Sequence, residues 1–204
     1  MMAMAMRTDM PASKVGAIAR PASVDDAVVA GCVRQDPTAF RSFVVRHQNM
    51  VFALLSRMLG RGPEVEDLAQ EAFVRAFRAF PTFDLHGVAK PSTWLLTIAT
   101  RLALDARRKK KLAVIDTAEL DEVAGSEVTP ERALERRELG LALEKMAMTL
   151  PDDQRAVLLL CEVHGLSVSE IAAALEVPEA TAKTRLFRAR EKMRAALPEE
   201  WRTP

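Results

Sequence analysis

Between Gly165 and Arg190 the chain reads G-L-S-V-S-E-I-A-A-A-L-E-V-P-E-A-T-A-K-T-R-L-F-R-A-R. Ser167, with Glu170 three residues on, is a capping box that opens a short helix. Ile171, Ala172 and Leu175 give that helix one apolar face. Glu176-Val177-Pro178 makes a tight turn, and a second helix follows with Ala182, Leu186 and Ala189 toward a core. Its other face carries Lys183, Thr184, Arg185 and Arg188. Two short helices joined by a small-residue elbow form a helix-turn-helix, whose second helix fits the major groove of duplex DNA. Thr181, Lys183, Thr184 and Arg185 lie near its N-terminus, where base edges are reached. Arg188, Arg190, Lys192 and Arg194 suit phosphates. A basic surface helix in an ordinary bundle is the plainer explanation, but the elbow and the basic second helix together favour DNA.

Two other constellations have residue types that do chemistry. Glu64, Glu66, Asp67 and Glu71 put four acids and no base at a helix start. They complement the helix dipole and suit a basic partner, whereas simple capping accounts for Glu64 and poorly for Glu71. Asp67 and Glu71 share a helix face, so two metal ligands are conceivable. No His or further Asp constellation accompanies them, which argues against a metal-dependent nucleic-acid enzyme. Cys161 and His164 form a C-x-x-H pair, short of the four ligands of a structural zinc site. Cys161 follows Leu158, Leu159 and Leu160 and reads as a core residue. The expectation is no metal, no cofactor and no catalytic residue.

The elements that must position these groups are helical. The 204 residues are 49% hydrophobic, with 8 Gly, and Ala, Leu, Arg and Glu dominate. These side chains lose little freedom in a helix. No strand pattern appears, and the expected fold is all-α, two small helical domains joined by a flexible acidic linker. In the first half the spacing predicts helices over 25–34, 37–59, 64–80 and from Ser92, as a possible cap, into the basic cluster near Lys110. Phe40, Val44, Val51, Leu54 and Leu55 are spaced for a buried stripe, and residues 81–91 form a loop. In the second half the helices fall at about 131–149, 151–163, 167–175 and 178–196, with breaks at Pro151, Gly165 and Pro178. The boundaries predicted are a disordered tail over 1–23, a first domain over 24–111, the linker over 112–130 and a second domain over 131–204.

Net charge is +1, but its distribution is uneven. Arg101 to Lys111 holds six bases and one acid; Leu112 to Glu131 holds six acids and no base; Glu179 to Arg194 holds six bases and two acids. Two basic segments separated by an acidic one suggest two polyanion-binding surfaces. The two cysteines, Cys32 and Cys161, are no disulfide framework and fit a reducing cytoplasm. No apolar run reaches membrane-spanning length and no signal-peptide core is present, so neither membrane insertion nor secretion is expected.

Leu150-Pro151-Asp152-Asp153-Gln154-Arg155, with Gly165-Leu166-Ser167 and Pro178 through Arg185, resembles the fourth conserved region of extracytoplasmic-function sigma factors. These form a group within the sigma-70 family of bacterial RNA polymerase subunits. Glu66-Asp67-Leu68-Ala69-Gln70-Glu71-Ala72-Phe73 resembles that family's core-polymerase-binding helix. Trp94-Leu95 through Ile98-Ala99, with Asp105 and Arg108, resembles its promoter-melting helix. The resemblance covers about residues 25–196 in the expected order.

The resemblance implies a sigma factor that directs promoter-specific initiation, does no chemistry itself, works in the cytoplasm and is controlled by an anti-sigma factor. Glu66, Asp67, Leu68, Gln70, Glu71, Phe73 and Arg75 would bind core polymerase at the clamp helices of the largest subunit, with the flap a second contact. Phe83, His86, Lys90, Thr93, Trp94, Thr97, Arg101, Asp105 and Arg108 would hold the minus-ten strand once it is single. Trp94 could stack on an unpaired base or anchor the core. The family usually carries Asn where this chain has Arg101, so a phosphate contact is better supported there than an Asn-type base contact. Ser169, Glu179, Thr181, Lys183, Thr184, Arg185 and Arg188 would read the minus-thirty-five element as duplex. The acidic linker would thread polymerase channels otherwise used by RNA, or act as a solvated spacer. The alternative, a stand-alone helix-turn-helix regulator, would bind duplex without polymerase, usually as a dimer. The sequence offers it no obvious dimerisation heptad, and it leaves the first half unexplained.

Overall fold

Proline and glycine punctuation, with side chains that satisfy the free helix ends, cuts the chain into helices. A computed structural model describes residues 24–60, 62–85, 90–114, 140 and 142–197. Helix α1, Val24–Val33, buries Val29 and Cys32 and ends at Gln35, which takes a left-handed φ of 62°. The Gln35 amide donates to the Phe77 carbonyl at 2.7 Å, which ties that turn to the rest of the fold. Asp36 then caps α2, Pro37–Leu59, by accepting from the Thr38 N–H at 2.8 Å, with Pro37 in the first turn where its missing N–H is not needed. The buried stripe of α2 is Phe43, Val51, Leu54, Leu55 and Met58. Val51, Leu54 and Leu55 are buried as predicted, while Phe40 and Val44 are half-buried against the core and Phe43 and Met58 join the stripe.

Gly60 ends α2, and α3, Pro63–Ala79, starts at its proline and buries Val65, Ala69, Ala72, Phe73 and Ala76. A 3-10 turn, Phe80–Thr82, follows. Helix α4, Pro91–Val114, begins at Pro91, so Ser92 lies inside its first turn and does not cap it. It also runs to Val114, beyond the predicted linker boundary. The tail over 1–23, the linker from 115 onward, His86 and most of the helix predicted over 131–149 lie outside the described residues. Residues 142–148 form α5.

Helix α6, Asp152–Leu158, widens into a π turn, Leu159–Val163, where the sequence predicts a regular helix to 163. The wider turn narrows the arc over which Leu158, Leu159 and Leu160 spread, and all three are buried. Helices α7, Val168–Leu175, and α8, Glu179–Ala196, complete the described residues. The described residues contain no strand.

The two halves touch. Their buried side chains form one continuous apolar cluster, and α4 and α2 pack against α6 while α4 also packs against α7. Arg155 of α6 is fully buried at this junction. It donates to the carbonyls of Ala147 (2.8 Å), Leu150 (3.0 Å), Met148 and, across the junction, Met58 (2.7 Å). It thus adds donors to carbonyls at and just past the ends of α5 and α2.

Candidate nucleic-acid interface

The helix-turn-helix is built as its residues require. The Ser167 Oγ accepts from the Glu170 N–H at 3.2 Å, and Glu170 Oε2 accepts from the Ser167 N–H at 2.8 Å. These bonds, first to the backbone and then to the hydroxyl of Ser167, hold the Glu170 carboxyl below the usual range. Glu176 closes α7 in a left-handed conformation, φ 54°, and the Val177 N–H reaches back to the Ala172 carbonyl at 3.0 Å. Helix α8 buries Ala182, Leu186 and Ala189, as its spacing predicts.

The opposite face of α8 exposes Lys183, Thr184, Phe187 and Arg188. The Thr184 hydroxyl donates to the Ala180 carbonyl at 2.8 Å, so it meets a ligand as an acceptor. Thr181 is half-buried, Glu179 is exposed in the first turn, and Ser169 is exposed with its hydroxyl 3.1 Å from that of Ser167. Arg185 turns away from this face: its Nε lies 2.9 Å from Asp153 Oδ2. Phe187, absent from the sequence-derived set, is 64% exposed between the bases. Its ring suits the methyl group of thymine. The signal was available, because a residue next to buried Leu186 and three or four after Thr184 and Lys183 must face outward.

On α4 the structure separates the candidates. Thr93 is buried, and its carbonyl accepts from the Thr97 hydroxyl at 3.0 Å. Trp94 is half-buried, its ring 4.9 Å from that of Phe80 and 5.0 Å from that of Phe83. The three rings form a wall in which Trp94 and Phe83 are each half-buried. Lys90, Arg101, Asp105 and Arg108 are exposed, with Asp105 and Arg108 paired at 3.7 Å. Arg101 donates from Nε to the Ala174 carbonyl at 3.1 Å, and its Nη2 lies 2.9 Å from Glu176. On α3, Glu66, Asp67 and Gln70 form an exposed ridge, beside Arg75 paired to Glu71 at 2.7 Å. Phe73 is buried and Leu68 half-buried, so these two support the ridge from behind.

Neither cysteine has an environment that activates a thiol. Burial, reinforced by Asp36, pushes Cys32 up to about 11. Burial also raises Cys161, whose sulfur faces the Arg190 guanidinium at 3.8 Å, a neighbour that does not suit a metal ion.

Helices with an exposed acidic ridge on one, a basic helix beside an aromatic wall and a helix-turn-helix make the architecture of a sigma subunit. The model for Sigma-70 region 2 matches residues 43–112, and that for Sigma-70, region 4, matches residues 140–193. The chain belongs to the sigma-70 family of RNA polymerase sigma factors. Within it the chain falls in the extracytoplasmic-function group. It is 39% identical over 174 residues to the ECF RNA polymerase sigma factor SigW of Bacillus subtilis, covering 79% of this chain and 90% of that one. It is 35% identical over 182 residues to the RNA polymerase sigma-H factor of Pseudomonas aeruginosa, covering 85% and 93%. The fold is shared with the sigma factor RpoE of Bartonella quintana, solved in complex with the anti-sigma factor NepR, at TM-score 0.64 and 22% identity over 77% of this chain and 95% of that chain. Sigma factors are transcription factors and not enzymes.

Proposed function

We propose that this chain directs promoter-specific initiation by dividing three contacts among three helices. The α3 ridge of Glu66, Asp67 and Gln70, with the Glu71–Arg75 pair, docks on the clamp helices of the largest polymerase subunit. The outward face of α8 reads the minus-thirty-five duplex, with Lys183 and Arg188 on phosphates or guanine edges and Phe187 on thymine methyls. Lys90, just before α4, and the exposed bases Arg101 and Arg108 of α4 hold the minus-ten strand after it separates. Opening is driven by binding energy to that strand, and the many phosphate contacts make it steeply salt-dependent.

The observation that carries this reading is the presence in one chain of the helix-turn-helix face and of the acidic ridge in the first half. A stand-alone regulator would need only the former. An anti-sigma factor, by likeness to the Bartonella quintana complex, would hold the chain inactive in the cytoplasm until a signal releases it.

The test is run-off transcription with purified core RNA polymerase, with and without the chain, on a promoter library from the source genome. Specific transcripts only with the chain present are expected; duplex binding without transcripts would replace this reading with that of a helix-turn-helix regulator. Lys183→Ala and Arg188→Ala should each weaken minus-thirty-five binding by about 1–3 kcal/mol, and Phe187→Ala should relax the preference for thymine.

A further inference from the structure

Arg185 sits at a boundary of α8. At about 100° per residue it falls about 60° round the helix from Arg188, between the outward face and the buried Ala182 and Ala189. Its guanidinium is engaged at one point. Nε lies 2.9 Å from Asp153 Oδ2, in the first turn of α6, and among the described residues neither terminal nitrogen meets an acceptor. The second oxygen of Asp153 is also used: Oδ1 accepts from the Gln154 N–H at 3.0 Å. The start of α6 thus fixes the carboxylate, and the carboxylate fixes the guanidinium. The Arg185 side chain is 29% exposed, whereas those of Arg190 and Arg194 on the same helix are 54% and 70% exposed. Arg185 is therefore more closely packed than its paired neighbours.

An acid at the rim of a DNA-binding face requires a reason, because Asp153 repels phosphate and charge alone would favour its absence. Geometry supplies one. A guanidinium is a planar fork, so holding Nε from one side leaves the remaining N–H donors in a fixed plane for an acceptor on the other. A recognition helix in the major groove lies between two backbones. The edges of its outward face meet phosphates and the middle meets bases. Arg185 lies on such an edge, whereas Thr184 and Phe187 are exposed nearer the middle.

We infer that Asp153 is a positioning residue for DNA binding, which takes Arg185 out of base reading and presents its guanidinium to a backbone phosphate beside the minus-thirty-five groove. This rests on the assignment of α8 to that duplex. Asp153 itself touches no DNA.

The test uses the full chain assembled with core RNA polymerase, titrated onto labelled duplex carrying the minus-thirty-five element found by run-off transcription. D153N keeps the shape of the side chain and an acceptor for the Gln154 N–H. It should weaken binding about three- to tenfold, the scale of ordering one long side chain. Loss of a negative charge would act in the opposite direction, so the sign decides. In the R185A background D153N should cause no further loss, and D153E, which restores a carboxylate, should recover most of the affinity. The loss should be equal on duplexes altered at any base pair of the element, because a phosphate carries no sequence. R185K, with a compact ammonium in place of the fork, should lose as much as D153N and leaves α6 untouched. Unchanged or tighter binding by D153N, a D153N loss that persists in full without Arg185, or a loss confined to one base pair would overturn the inference while K183A still weakens binding. K183A without effect would remove the assignment of α8, and the inference with it.

Discussion

Ser167 and Glu170 illustrate what one residue pair contributes. Each satisfies a backbone N–H of the other, and the Glu170 carboxylate is the acceptor in its half of the exchange. Its folded pKa is depressed, so its contribution to stability is present above the ordinary Glu range and is lost as pH falls through the depressed value. Ser167→Ala should therefore lower stability by about 1 kcal/mol near neutral pH. The deficit should shrink below about pH 4, where the wild type also loses the charged acceptor. Urea unfolding at stepped pH checks this, and a deficit constant with pH would show that the carboxylate plays no part. This pair was legible in the sequence because both partners lie within one turn. The same local logic found Ala182, Leu186 and Ala189. It missed Phe187, because a lone apolar residue among bases draws no notice until its angle on the helix is worked out. It placed Arg185 on the DNA face by its position near the start of α8; that its Nε lies beside Asp153 depends on α6 packing against α8, which no local spacing reveals.

At the scale of elements, α1 and α2 approach through Gly31. A Cβ there would sit 2.4 Å from the Ala39 Cβ, closer than any two carbons can lie without movement. Gly31→Ala sets two effects against each other. Helix propensity favours alanine by about 1 kcal/mol, while overpacking a tight crossing costs about 1–3 kcal/mol. The crossing should win, giving a lower melting temperature, and adding Ala39→Gly should recover part of it by removing the obstructing methyl. A raised melting temperature for the single variant would mean that α1 shifts freely. Most helix ends were legible from Pro37, Gly60, Pro63, Gly165 and Pro178, since proline and glycine act locally. The burial of Phe43 and Met58 beside the predicted Val51, Leu54 and Leu55 was not, because a helix packed on two sides buries a wider arc than one apolar spacing describes. The π turn was not legible either: it accommodates three consecutive leucines whose burial is set by their neighbours.

For the whole molecule, the question is what joins two halves that the sequence presents as separate domains. Arg155 is fully buried among carbonyls, and burial, with Arg107 nearby, brings its guanidinium down to about 10. It therefore remains charged at neutral pH, and its hydrogen bonds offset the loss of water. Three of those bonds close the α5–α6 junction and one crosses to Met58. Removing the side chain would orphan carbonyls in both halves at once. Arg155→Met fills much of the same volume without a donor, and hydrogen bonds to a charged group are worth about 1.5–3 kcal/mol. The variant should lose about 3 kcal/mol, and the loss should fall unevenly. The second half loses the cap of α5 as well as the junction, whereas the first half keeps its core around Phe43, Phe80 and Leu95. Calorimetry should then resolve a single wild-type transition into two, with the second half melting first. Arg155→Lys, with one ammonium in place of a fork, cannot span carbonyls on both sides and should also separate the transitions. A single transition at the wild-type temperature in Arg155→Met would show that the apolar cluster alone couples the halves.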